Sequence, residues 1–154
     1  MDIEKPGQNA VSTIGYARGI SFPIFIVKVS GIWIETSTAA AYGEMSERAK
    51  EDGVSLVLSS GWRSMEEQRA LWLERQDPKV RAVKGIAARP GWSNHQSGRS
   101  LDIRTGLTVA QFLDGKTSPV YRWLDANAKK YGFKRDVPSE PWHWTQTGAK
   151  EKRT

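Results

Sequence analysis

Cysteine is absent from this 154-residue chain. Its absence excludes disulfides, thiolate metal sites and a cysteine nucleophile, and removes one obstacle to working in either a reducing or an oxidising compartment. Histidine is scarce, with two residues, His95 and His143. A long apolar run is also missing. The most apolar stretch, residues 20–34, is broken by Pro23, Lys28 and Gly31 and is too short to span a bilayer. No stable membrane insertion is therefore expected. The polar start, residues 1–8, lacks the basic-then-apolar pattern of an export signal. The expectation is a protein made in the cytoplasm without a recognisable signal peptide. Repeats, low-complexity tracts and long linkers are absent as well.

The length suits one domain with a real core, and the 38% apolar content is ordinary for a globular protein. A formal charge of +6 favours anionic partners such as nucleic acid, acidic lipid or a carboxylate-rich wall polymer. No helix carries a concentrated basic stripe and no zinc-finger spacing exists, so a nucleic-acid partner is not expected.

Local signals give a mixed set of elements. Phe22–Val29 and Ile32–Ile34 are rich in β-branched and aromatic residues and read as extended. A helix is expected from Ser37 to about Glu51, with Tyr42, Met45 and Ala49 on one face and Gly53 as a stop. Residues 54–58 read as a short buried strand. Ser64-Met65-Glu66-Glu67 fits a capping box and starts a helix that should end near Gln76. Residues 79–92 read as a basic loop, and 100–104 as a strand. Thr108 opens a second capping box, and Ser118-Pro119 opens a helix with Val120, Trp123, Leu124 and Ala128 inward and Gly132 at its end. Residues 142–145 read as a last strand. Without a βαβ rhythm, the fold class is α+β: a small single domain, 1–154, with a central, mainly antiparallel sheet packed by helices. Residues 1–18 and 150–154 are expected to be loose, leaving a core of about 36–148.

Both histidines sit among polar, glycine-rich or acidic neighbours rather than in an apolar stripe. The contexts are Ser93-Asn94-His95-Gln96-Ser97-Gly98-Arg99-Ser100-Leu101-Asp102 and Glu140-Pro141-Trp142-His143. Together they offer two imidazoles and a carboxylate, with a second carboxylate in reserve. Catalytic zinc takes three nitrogen or oxygen ligands and keeps a fourth position open, a count that His95, Asp102 and His143 meet. Spacing alone does not decide whether Asp102 or Glu140 is the ligand. Two carboxylates would neutralise the metal and weaken its effect on bound water, so one ligand plus one free base is the more productive use.

The first context resembles the S-x-H-x-x-G-x-A-x-D signature of the zinc D-alanyl-D-alanine carboxypeptidases. That group includes the VanY-type carboxypeptidases, the D,D-dipeptidases of vancomycin resistance and phage L-alanyl-D-glutamate endopeptidases. Glu140-Pro141-Trp142-His143 resembles the group's E-x-W-H, and Ser59-Ser60-Gly61-Trp62-Arg63-Ser64 its S-G-Y-R-S. Three motifs in order over residues 59–143 make the match specific. The resemblance implies a hedgehog/D,D-peptidase-like fold, Zn²⁺ on His95, Asp102 and His143, and Glu140 as catalytic base. It puts Arg63 on the scissile carbonyl, its oxyanion or a substrate carboxylate, and Ser93 and Gln68 among the substrate-binding residues. Ser100 departs from the usual alanine and Trp62 from the commoner tyrosine.

The resemblance therefore implies a zinc metallopeptidase that hydrolyses an amide of the peptidoglycan stem peptide. It would be a D-Ala carboxypeptidase or an endolysin-like endopeptidase, monomeric, acting at the cell wall or periplasm after holin-type release or injection. The competing expectation is a zinc-containing wall-binding module without catalysis, against which Glu140 and Arg63 argue.

Overall fold

Two antiparallel sheets and the helices packed on them organise residues 9–148, which the computed structural model describes. The first sheet has the order β1-β2-β3, with β1 Val11–Ala17, β2 Ile20–Val29 and β3 Ile32–Glu35. Helix α1, Thr36–Glu51, follows β3 directly, and Glu35 caps it by accepting from the Ser37 amide. The second sheet has the order β4-β5-β7-β6, with β4 Leu58–Ser60, β5 Ser100–Ile103, β6 Phe133–Lys134 and β7 His143–Gln146. Helix α2 is Met65–Glu74, α3 Pro78–Lys84, α4 Val109–Leu113 and α5 Pro119–Asn127.

The α+β class and the antiparallel pairing are as expected, although the strands divide into two sheets rather than one. The capping boxes at Ser64 and Thr108 both form, and Ser118 caps α5 with Pro119 in its first turn. Three local expectations need correction. Residues 11–17, expected to be loose, pair along their whole length with β2. Residues 1–8 and 149–154 lie outside the described residues. The stretch 79–92, expected as a loop throughout, begins within α3, where Asp77 caps and Pro78 fills the first helical position. Pairing of the strand expected at 54–58 begins only at Leu58, and Val57 is exposed.

The core lies between α1, α5 and one face of the second sheet. Ile34, Met45, Leu101, Ile103, Leu124 and Phe133 are almost wholly buried. Each such side chain contributes roughly 1.5–3 kcal/mol through burial. Because strand side chains alternate, Leu101 and Ile103 on the core face of β5 put Ser100 and Asp102 on the other face. On β7, Trp144 is in the core and His143 and Thr145 face the other way. One face of this sheet is therefore packed into the core and the other carries polar side chains.

Candidate metal centre

Asp102 and His143 are direct cross-strand partners on β5 and β7, and Ser60 of β4 pairs with Asp102 from the other side. Opposed residues on one face of a sheet stand about 5 Å apart at Cβ, close enough to share a ligand. His95 arrives from a 3₁₀ turn, Asn94–Ser97, capped by Ser93. The turn ends at Gly98 with φ 77°, where a Cβ would come within 2.9 Å of Glu35 Cβ, so that position needs glycine.

Hydrogen bonds fix how each ring faces. His95 Nδ1 lies 2.8 Å from the Gly61 carbonyl, an acceptor, so Nδ1 carries the proton and Nε2 is free. Nε2 lies 3.4 Å from Asp102 Oδ1. His143 Nδ1 lies 3.3 Å from the same oxygen. Asp102 Oδ2 accepts from Ser60 Oγ at 2.8 Å. The two rings meet edge to face, 5.0 Å between centroids. A tetrahedral ion with bonds near 2.0–2.1 Å separates its ligand atoms by about 3.3 Å. The two measured edges fit that figure, and one donor atom from each of the three residues lies within 4.8 Å of the others. Among the described residues this is the one such group; both histidines are buried and Asp102 is partly exposed to the cleft.

The charges are coupled. Burial favours the neutral acid of Asp102, but hydrogen bonds from His143 and Ser60 and the neighbouring His95 ring outweigh it and hold the carboxyl well below the usual range. Burial likewise opposes charge on His143, yet the hydrogen bonds its ring donates to Asp102 and Asp136, and their negative charges, push it up to about 9. Without an ion, then, His143 is an imidazolium between two carboxylates, and a metal would have to displace its Nδ1 proton.

Glu140 stands at the rim, half-exposed, with Oε1 3.8 Å from His143 Nδ1. Arg63, Gln68 and Ser93 form one hydrogen-bonded group. Arg63 Nη1 donates to Gln68 Oε1 at 2.9 Å and reaches Ser93 Oγ at 3.5 Å. Gln68 is almost wholly buried and donates to the Ala88 carbonyl at 2.7 Å. Burial lowers the Arg63 pKa, with Asp102 acting against that shift. All seven sequence-derived candidates line a single cleft of about 390 Å³. Trp92 and Trp142 also wall this cleft, whereas Trp144 belongs to the core.

Sequence reasoning missed Asp136, whose Oδ1 lies 3.1 Å from His143 Nε2. A lone aspartate in a loop before Val137-Pro138 carries no motif. Its place is set by strand register alone: Lys134 pairs with Thr145, so two residues further Asp136 comes level with His143. Ser60 and Gly61 were inside a motif but had no assigned part.

A family model described as D-alanyl-D-alanine carboxypeptidase, VanY, matches residues 31–149. The chain belongs to this VanY carboxypeptidase family. A D-alanyl-D-alanine carboxypeptidase from Enterococcus faecium is 32% identical over 130 residues, which cover 77% of this chain and 39% of the relative. The putative carboxypeptidase YodJ from Bacillus subtilis (strain 168) is 32% identical over 139 residues, covering 82% of this chain and 50% of the relative. The chain thus spans half or less of the length of these two relatives. Among solved structures, VanYB in complex with D-alanine-D-alanine matches with a TM-score of 0.65 at 27% identity, covering 82% of this chain and 79% of that one. A variant of the vancomycin-resistance D,D-pentapeptidase VanY in complex with Zn(II) matches with a TM-score of 0.63 at 28% identity, covering 81% and 79%. The hairpin of β1 and β2 precedes the VanY match.

Proposed function

We propose that the chain is a zinc-dependent carboxypeptidase that removes the terminal D-alanine from peptidoglycan stem peptides. The observation that carries this reading is the meeting of His95, Asp102 and His143, with Asp102 Oδ1 at a tetrahedral edge length from one nitrogen of each imidazole, in a cleft that also holds a second carboxylate and a guanidinium. The bound ligands of the two VanY structures support it.

Bound zinc would act as a Lewis acid, acidifying water and polarising the scissile carbonyl. Glu140, with Oε1 3.8 Å from His143 Nδ1 at the cleft rim, would serve as the base that accepts a proton from the attacking water and returns it to the leaving amine. Arg63 holds a fixed positive charge beside two neutral hydrogen-bonding side chains, Gln68 and Ser93. Such a group suits the free carboxylate of a chain end, or a developing oxyanion, where little water competes. A terminal carboxylate seated there favours trimming over internal cleavage. Residues 36–148 contain every group this scheme uses and act as one peptidase domain. Peptidoglycan is the partner, and action is at the cell wall. No helix among the described residues is long and apolar enough to cross a membrane.

The test is mass spectrometry of zinc-loaded protein with a stem pentapeptide ending in D-Ala-D-Ala, alongside purified sacculi. Release of one alanine from the pentapeptide, abolished by chelation and restored by zinc, supports the reading. Cleavage between L-Ala and D-Glu with the terminus intact would replace it with the endopeptidase alternative. Zinc binding without any cleavage would replace it with a binding module.

A further inference from the structure

The far side of the His143 ring is held by a hydrogen-bonded chain that the reaction scheme does not use. Asp136 Oδ1 lies 3.1 Å from His143 Nε2. The same oxygen accepts from Thr145 Oγ1 at 2.8 Å. Thr145 Oγ1 is in turn 2.7 Å from Ser100 Oγ, which is fully buried. The Thr145 proton is committed to Asp136, so Ser100 must donate to Thr145. The other carboxylate oxygen, Oδ2, accepts from Asn94 Nδ2 at 3.2 Å. Asn94 is the residue before His95. One carboxylate therefore ties the strand carrying one imidazole to the turn carrying the other.

We propose that Asp136, backed by Thr145 and Ser100, is the positioning residue for the metal centre. This rests on the reading of His143 as a ligand. A ring nitrogen that donates to a carboxylate fixes the tautomer and leaves the opposite nitrogen as the more basic donor. Here Asp136 keeps the proton on Nε2 and presents Nδ1 to the Asp102 side. Asn94 adds a second effect: it sets the spacing between the two imidazoles before any ion arrives. Ser100, which departs from the alanine of the resembling signature, becomes the last link of the chain.

The experiment measures zinc affinity of the full chain by competition with a chromophoric chelator, together with ¹⁵N imidazole spectra of the zinc-loaded protein. Asp136→Ala should lose about 10–100-fold in affinity. Asp136→Asn keeps an acceptor oxygen and should recover part of that loss. Thr145→Val, which leaves the carboxylate in place, should lose less than Asp136→Ala and serves if that variant does not fold. The wild-type spectrum should show His143 protonated at Nε2, and that signal should shift in Asp136→Ala. If the wild type holds zinc and Asp136→Ala holds it equally well with an unchanged spectrum, the positioning role is overturned alone. If the wild type binds no zinc, the metal reading falls and takes this inference with it. If asparagine and alanine lose the same affinity and the same thermal stability, the role is structural and the proposal fails.

Discussion

The two sheets reach the same cleft by different means. The β4-β5-β7-β6 sheet sends side chains: Asp102, His143 and the Ser60 hydroxyl all project from its polar face. The β1-β2-β3 sheet sends backbone. The Gly19 amide donates to the Gly91 carbonyl, the Glu35 amide to the Gly98 carbonyl, and the Trp62 amide to the Trp33 carbonyl. These bonds hold the loops on which Trp92, His95 and Arg63 are mounted. One sheet should thus be intolerant of changed side chains at the site, and the other intolerant of changed backbone while indifferent to its exposed side chains.

The largest expected effect is on the side-chain half of this contrast. Glu140→Ala should lower kcat by about 10²–10⁴-fold while zinc affinity stays near that of the wild type. Steady-state kinetics with parallel chelator competition checks it, and full activity would remove Glu140 from the mechanism. Ile34→Ala, at a fully buried position of β3, should cost about 2–5 kcal/mol in denaturant unfolding, since its cavity opens against the shared core. Gly98→Ala should cost at least ~1–2 kcal/mol for its left-handed backbone, plus the contact with Glu35, and should weaken zinc binding by moving the His95 turn. Retained affinity there would break the idea that backbone from the hairpin sheet sets the site.

The pH response follows from the charges around Asp102. His143 is raised from 6.5 to about 9, so in zinc-free protein its contribution is complete below pH 6.5 and disappears as pH climbs through 9. Asp102 and Asp136 are depressed below 3.8, so their contribution is present above that value and is lost as pH falls through their folded values. Zinc-free Tm should therefore be highest between about pH 4 and 6.5 and decline toward 9. Zinc requires neutral imidazole, so the Tm gained on adding it should grow over the same interval. A zinc-free Tm that rises from pH 6.5 to 9 would contradict the imidazolium. The smallest effect is expected at Ile20, 69% exposed at the hairpin: Ile20→Ser should change stability by no more than about 0.5 kcal/mol and leave activity intact.

Legibility in the sequence divides along the same line. Capping boxes at Ser64 and Thr108 are local and could be read directly, as could the inward face of Tyr42, Met45 and Ala49. The three motifs named the residues that gather in the cleft because chemistry restricts those residue types. Asp136 could not be read, since its importance comes only from the β6–β7 register. The 3₁₀ turn that aims His95 was hidden for a related reason: Gly98 needs to be glycine because of Glu35, which is distant in the chain. The pairing of 11–17 with β2 was missed because half-exposed edge strands lack a continuous apolar signal.

The separation of Asp102 and His143 by 41 positions has a thermodynamic side. A divalent ion gripping both would close that span of chain as a disulfide closes a loop, withdrawing conformational freedom from the denatured ensemble. In a chain without cysteine, the ion would be a removable staple across the polar face of the sheet. Scarcity of zinc would then loosen the fold as well as silence the chemistry.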